Sequence, residues 1–161
     1  MPSLKAEPPP ICILDLTTGK TKNLPPSPDF VWSPRWSPNG RFIVGLKLKY
    51  PVDALEVFDL KTGKWLLLPL KQGRLNYPLW SHDSRFLYYL AASDYEQESI
   101  GEPGVYRIPV TGGTAERVVG LRGFRYAGWN SQWMGLDPDD RPMLLRDEGT
   151  DEIYALTFER K

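Results

Sequence analysis

Short apolar runs separated by turn-forming residues extend along the whole chain. The runs RFIVGL at 41 to 46 and RFLYYL at 85 to 90 are almost entirely apolar, as expected for strands that are covered on both faces. The run TAERVV at 114 to 119 carries charge and suits a strand at the outer edge of a sheet. Most of the 16 prolines and 14 glycines fall between such runs. The pattern predicts an all-β chain of strands joined by tight turns.

A repeat organises these runs. ILDLTTGKTKNLP at 13 to 25 returns as VFDLKTGKWLLLP at 57 to 69, and PRWSPNGRFIVGL at 34 to 46 returns as PLWSHDSRFLYYL at 78 to 90, each 44 residues later. Looser copies of the two halves lie at 106 to 118 and at 135 to 145. Each unit predicts four antiparallel strands, and a four-stranded sheet that recurs every 40 to 45 residues or so is typical of a β-propeller blade.

The repeat predicts blade units over about 11-25, 26-70, 71-119 and 120-161, preceded by a flexible proline-rich segment over 1-10. The strands number about thirteen, or three to four blades, because the chain starts at a third strand, ICILDL, and ends at another, IYALTF. Closed propellers have about four to eight blades, so a partial propeller is expected.

A partial propeller leaves two apolar end faces that something must cover. Three alternatives stay open. The chain is a piece of a longer protein, or a homodimer completes a ring of about six or seven blades, or the end faces rest against other molecules. In a homodimer, the C-terminal third strand is expected to pair with the incomplete first blade.

The motif WSPNGRFI, together with the strand and turn LDLTTGK, resembles the TolB-type propeller repeat, which is related to the WD40 repeat. The resemblance extends from Ile11 to about Phe158. The ending GLDPDDRPMLLRDEGTDEIYALTFERK is similar to the tail of bacterial proteins that join a winged-helix DNA-binding region to a TolB-like propeller. The resemblance implies a noncatalytic module for protein-protein interaction or ligand sensing, the C-terminal fragment of a larger regulatory protein. The alternative is the propeller of a prolyl-oligopeptidase-like peptidase whose catalytic domain lies outside this chain.

The only histidine lies in Ser81-His82-Asp83, between a hydroxyl and a carboxylate. In a Ser/His/Asp triad the imidazole stands between the other two side chains, which three consecutive residues rarely achieve. The repeat places His82 at the position of Pro38 and Asp83 at that of Asn39, in a hairpin turn. We therefore predict a turn with a surface histidine, no catalytic residue, and a chain that is not an enzyme.

Metal and cofactor patterns are weak. One cysteine and one histidine cannot supply a structural zinc site, and no glycine pattern matches a phosphate-binding loop. Two acidic segments carry the carboxylates that calcium prefers, but without EF-hand spacing and with arginines among them. The acidic residues are Asp137, Asp139, Asp140, Asp147, Glu148, Asp151 and Glu152. We expect solvated hairpin tips there, with no metal and no cofactor.

The net charge of the chain indicates no particular class of partner, because 20 basic residues balance 20 acidic ones. We expect no nucleic-acid partner and no membrane insertion, since no apolar run approaches the roughly 18 residues of a membrane helix. The N-terminal residues lack the apolar core of a signal peptide. The sequence does not determine the compartment. The chain as written is expected in the cytoplasm, whereas the parent proteins of some such propellers are periplasmic. Cys12, in the apolar run ICIL, is expected to be a buried thiol.

One surface is a candidate for partner binding. The segments that connect the fourth strand of one blade to the first strand of the next gather at one end of a propeller channel, and they are rich in aromatic and arginine side chains, the types enriched in binding hot spots. These residues are Phe30, Trp32, Arg74, Asn76, Tyr77, Arg125, Tyr126 and Trp129. The alternative is that the aromatics pack between blades. The insertion at 92 to 104 is a second, weaker candidate.

Overall fold

The strands pair into separate antiparallel sheets. The computed structural model describes residues 10–27, 31–47, 54–71, 75–91, 101–127 and 133–150, and these ranges contain twelve strands in four sheets. In chain order the strands are β1 (Cys12–Leu14), β2 (Thr21–Asn23), β3 (Val31–Trp36), β4 (Phe42–Lys47), β5 (Ala54–Asp59), β6 (Lys64–Pro69), β7 (Leu75–Trp80), β8 (Phe86–Ala91), β9 (Gly104–Pro109), β10 (Glu116–Gly120), β11 (Met134–Leu136) and β12 (Pro142–Leu144). Blade 1 is β1 and β2, blade 2 is β3 to β6, blade 3 is β7 to β10, and blade 4 is β11 and β12. The predicted partial propeller of four-stranded antiparallel blades is confirmed.

Parts of the predicted organisation lie outside the described residues. They are nearly all of the proline-rich segment 1-10, most of the insertion at 92 to 104, and the last predicted strand at 153 to 158. The unit boundaries after the N-terminal segment stay predictions.

The two complete blades repeat each other down to their irregularities. The first strand of each has a register shift, between Trp32 and Arg35 in β3 and between Asn76 and Leu79 in β7. The backbone within each shift enters the left-handed region, with φ of 52° at both Ser33 and Tyr77. An extra residue of this kind is a β-bulge, which bends the strand and redirects the side chains around it. The 44-residue period therefore extends to backbone conformation.

Each complete blade is apolar on both faces because it packs between two neighbours. Successive residues of a strand point to opposite faces, so Val44 and Leu46 of β4 face blade 3 whereas Ile43 faces blade 1. The buried clusters are centred on Val44, Leu46, Leu55, Val57, Leu87 and Tyr89 between blades 2 and 3, on Tyr88, Leu90, Val105, Leu121 and Met134 between blades 3 and 4, and on Leu24, Ile43 and Phe58 between blades 1 and 2. The core is thus a series of interfaces between blades.

The turns between first and second strands share a residue of positive φ at the same position. The residue of positive φ is Gly40 (72°) in blade 2, Ser84 (61°) in blade 3 and Asp140 (60°) in blade 4. The turn of blade 4 is one residue shorter, because the amide of Asp137 donates to the carbonyl of Arg141 whereas that of Ser37 donates to the carbonyl of Phe42. After the turn the repeat shifts by one residue, and Arg141 takes the position of Phe42.

Hydrogen bonds between these turns join neighbouring blades. The amide of Asn39 donates to Ser84 Oγ at 3.1 Å, and the amide of His82 donates to Asp140 Oδ1 at 3.0 Å. The two acceptors hold the same position in their turns, whereas the donors lie one position apart in the repeat. The ring of His82 also contacts this carboxylate, with 2.6 Å between Nδ1 and Oδ1. The histidine is the predicted surface residue, with a side chain that is 59% exposed, and it also joins blades 3 and 4.

Cys12 is exposed, contrary to the expectation of a buried thiol. In β1 only Ile13 faces blade 2, where it packs against the buried cluster. Cys12 and Leu14 occupy the opposite face, and Leu14 is 53% exposed. The described residues place no sheet on that side of blade 1, so the apolar pattern of ICIL is satisfied on one face only.

An ion pair lies at one corner of blade 2, where β4 begins and β5 ends. Arg41 donates to Asp59 through Nε at 3.2 Å and through Nη2 at 2.9 Å. The hydrogen bonds from Arg41 are the main cause that lowers the pKa of the Asp59 carboxyl to about 2. Fork-shaped contacts of this type are geometrically specific and stronger than single hydrogen bonds.

Replacing Arg41 with methionine is expected to weaken the pH dependence of stability at acid pH. A carboxyl with a lowered folded-state pKa stabilises the fold above its unfolded pKa of about 3.9, and this contribution disappears as the pH falls through the folded-state value. Urea unfolding between about pH 5 and pH 2 measures the change. Arg85→Met is the matched control, because Arg85 lies 3.7 Å from Asp83 and is 75% exposed. An equal change in both variants would contradict the assignment.

Candidate functional site

The first strands of the blades lie side by side. β7 contacts β3 on one side and β11 on the other. The indole Nε1 of Trp80 in β7 donates to the carbonyl of Arg35 in β3 at 3.0 Å. Innermost strands surround the central channel in a propeller. The ends at which β3 and β7 begin, together with Tyr126 in the segment before β11, therefore define one candidate surface, which we call the inner-strand surface.

Trp32 is the residue of this surface that is best placed to contact a partner. It lies in β3 opposite Leu46, directly before the bulge at Ser33, and is 52% exposed. Asn76 holds the same position in β7, opposite Leu90, and is half-buried. The repeat thus presents a large aromatic side chain in one blade and an amide in the next, both on rigid strands.

Tyr77 and Tyr126 pack between blades 3 and 4. Both are partly buried against the cluster that contains Leu90 and Met134. The ring of Tyr126 meets that of Phe124 edge-on, with centroids 5.0 Å apart. These two tyrosines therefore fit the alternative in which aromatics pack between blades, and their role in binding stays a prediction.

Arg125 is exposed but held in place. Its Nη2 lies 3.1 Å from Asp147 Oδ2, and its carbonyl accepts a hydrogen bond from the amide of Asp147 at 2.9 Å. A partner with a carboxylate would have to compete with Asp147 for this guanidinium.

The remaining predicted residues, Phe30, Arg74 and Trp129, lie outside the described residues.

Two exposed residues at the far end of β3, away from the inner-strand surface, were not among the predicted residues. Arg35 and Trp36 are exposed, Trp36 at 50%. The run WSPRW contained the signal, since it places two tryptophans and an arginine on a first strand. The repeat obscured this signal, because Trp36 aligns with Trp80, which is only 8% exposed.

Ser81, His82 and Asp83 form the predicted turn. Ser81 Oγ donates to Asp83 Oδ1 at 2.7 Å and accepts the amide of Phe86 at 2.9 Å. The hydrogen bond from Ser81, followed by the one from the amide of Arg85, lowers the pKa of the Asp83 carboxyl. The serine bonds directly to the aspartate, and the imidazole bonds to Asp140 in the next blade. The three side chains do not have the relay geometry of a triad.

The acidic segments within the described ranges are engaged by the protein itself. Asp137 Oδ1 accepts the amides of Asp139 and Arg141 at 2.9 and 2.8 Å, and Arg141 also donates to Asp139. Arg146 lies 3.1 Å from Glu148. Across the described residues no group of three or more His, Cys, Asp or Glu side chains is arranged to hold a metal ion. In the same part of the chain, no helix has the length and apolar character needed to span a membrane.

Solved structures share this fold. TolB from Acinetobacter baumannii matches over 92% of this chain and 35% of its own, with a TM-score of 0.62 and 19% sequence identity. A putative TolB from Agrobacterium tumefaciens matches over 72% of this chain and 39% of its own, with a TM-score of 0.53 and 21% identity. Hydrazine synthase from Kuenenia stuttgartiensis matches over 81% of this chain and 41% of its own, with a TM-score of 0.55 and 15% identity.

The chain therefore has a TolB-like propeller fold and spans between 35% and 41% of the length of these neighbours. No protein-family model matches the sequence, and no curated protein matches it either. At such low identities the likeness concerns the fold alone.

Proposed function

We propose that this chain is a noncatalytic propeller module that binds a protein or small ligand at the inner-strand surface. The observation that carries the proposal is the exposure of Trp32, 52% on a strand that pairs with β4 and contacts β7. Tryptophan is enriched among residues that dominate binding energy, and it loses little conformational entropy on binding. A rigid strand keeps that cost low, so the geometry suits recognition.

Replacing Trp32 with alanine is expected to weaken binding without unfolding the chain. The probe is a random 12-residue peptide library, displayed on phage and selected on the immobilised wild-type chain. Selected peptides should lose about 10- to 30-fold in affinity for the Trp32→Ala variant, as expected of a hot-spot residue. The control is Val118→Ala, because Val118 is 39% exposed on β10, the outermost strand of blade 3.

Peptides that bind both variants equally would contradict the assignment of the inner-strand surface. The noncatalytic role has a separate test. A hydrolase activity that survives repurification and disappears on replacement of a single polar residue would overturn it.

We further propose that the module belongs to a larger regulatory protein. The support is the likeness of its C-terminal sequence to propellers that follow a winged-helix region. The genomic context tests this proposal. A winged-helix coding region directly upstream supports it, whereas a downstream hydrolase frame with a GxSxG motif would favour a peptidase parent.

A further inference from the structure

The two ends of the described propeller are complementary half blades. By the repeat, β1 and β2 correspond to β5 and β6, the third and fourth strands of blade 2. In the same way β11 and β12 correspond to β3 and β4, its first and second strands. In blade 2 the two halves join where β4 pairs with β5. Among the described residues no strand pairs with the outer edge of β1 or of β12.

We propose that β12 of one copy pairs with β1 of a second copy, so that the two half blades form one composite blade. Each copy then supplies two complete blades and one shared blade, and two copies close a ring of six blades or so, within the usual range for propellers. When two copies make both contacts with each other, neither half blade stays free, so the assembly is closed and does not grow into a filament.

The register of β4 on β5 defines the register of the composite blade. Phe42 pairs with Asp59 and Gly45 with Glu56 in blade 2. After the one-residue shift in the turn of blade 4, these pairs translate to Arg141 opposite Asp15 and Leu144 opposite Cys12. The repeat therefore specifies which residues lie opposite one another in the composite blade.

Charge is complementary at the corner of the composite blade. In blade 2 this corner holds the ion pair between Arg41 and Asp59. Asp15 begins the same turn in blade 1 as Asp59 does in blade 2, since each accepts the amide two residues ahead at 2.8 and 2.9 Å. Arg141, opposite it, has a side chain that is 72% exposed, and its present partner Asp139 is exposed as well. The composite blade restores a pair of opposite charge at an equivalent place.

Exposed apolar side chains mark the same contact. Leu14, Trp36, Met143 and Leu145 are exposed by 53, 50, 43 and 48%, whereas the residues at their positions in the complete blades, Phe58, Trp80, Val44 and Leu46, are exposed by only 3, 8, 0 and 5%. In the composite blade, Met143 and Leu145 face blade 2 of the second copy, and Leu14 faces blade 3 of the first. Each of these exposed side chains thus gains the cover that its counterpart already has.

The segment at 153 to 158 is the competing occupant of the β12 edge, because its sequence also repeats a third strand. Paired with β12 of its own copy, it would leave β1, Leu14 and Trp36 uncovered, since blades 2 and 3 stand between the two ends. Of these two occupants, only a second copy covers all the exposed positions.

A cysteine cross-link tests the proposal, since Cys12 is the only cysteine of the chain. Residues directly opposite in an antiparallel pair have Cα atoms about 4.5 to 5.5 Å apart, within the range that a disulfide spans. The variant is Leu144→Cys in the full chain. The control is Leu145→Cys, one position further on and on the opposite face of the strand. Mild oxidation and non-reducing electrophoresis should give a covalent dimer with Leu144→Cys, at a yield about tenfold above the control.

Charge reversal gives a second, independent test. Asp15→Lys alone and Arg141→Glu alone each place like charges opposite one another and should shift the chain towards monomer in analytical ultracentrifugation. Mixing the two variants should restore the dimer, because both contacts of the mixed pair then join opposite charges. Arg85→Glu, in the equivalent turn of blade 3, is the control and should leave the dimer intact. Equal cross-linking of the two cysteine variants, or a mixture that stays monomeric, would overturn the composite blade.

Discussion

Replacing Trp80 with alanine is expected to lower the free energy of unfolding by about 3 to 5 kcal/mol, the range for deleting a large aromatic side chain from a core. Trp80 is 8% exposed, and its ring stacks on Phe42 of blade 2 with centroids 5.9 Å apart. Its Nε1 donates to the carbonyl of Arg35. Truncation leaves a cavity and an unpaired carbonyl at the interface between blades 2 and 3.

Urea unfolding of the Trp80→Ala variant, at one fixed protein concentration, measures this effect. Trp32→Ala is the matched control, since Trp32 lies on the equivalent strand of blade 2 but is 52% exposed. We expect the control to cost less than about 1 kcal/mol. Similar losses in the two variants would mean that the interfaces between blades do not carry the stability.

Replacing Glu56 with alanine is expected to destabilise the chain by about 3 kcal/mol, because it removes a buried carboxylate that pairs with the buried Lys47. The two residues are 3% and 9% exposed, with 3.8 Å between Lys47 Nζ and Glu56 Oε1. Ser27 donates to the other carboxylate oxygen, so the substitution also removes a tie between blade 2 and the segment that precedes it.

The double variant Glu56→Leu with Lys47→Met should recover much of this loss, since a buried ion pair can be exchanged for apolar side chains at little cost. Glu116→Ala is the control on the surface. Glu116 pairs with Arg107 but has a side chain that is 58% exposed, and it should cost less than about 1 kcal/mol. Thermal unfolding compares the three variants. A double variant as unstable as Glu56→Ala would contradict this account of the ion pair.

The blades were predictable because the repeat appears in residues that determine turns and faces. Ser37-Pro38-Asn39 and Ser81-His82-Asp83 hold the same turn with different side chains, and comparing them was enough to set the triad aside. The apolar runs of β4 and β8 likewise revealed strands covered on both faces. Local sequence is informative where local chemistry decides the structure.

Contacts between blades were not predictable from the same comparison. The contact of His82 with Asp140 joins residues 58 positions apart in different blades. Tyr77 packs between blades because of a bulge at which its φ is 52°. Neither feature leaves a signal in composition or spacing. Whether a position of the repeat is exposed depends on which blades lie beside it, and the sequence of a single blade does not show this.

The solution mass of the 161-residue chain, measured by light scattering over a range of concentrations, tests the central claim most directly. The claim is that matching half blades allow two copies to complete one propeller. The single chain has a mass of 18.4 kDa, and we predict a species of twice that mass that persists on dilution. A chain that stays at the mass of one copy at every concentration would contradict the claim.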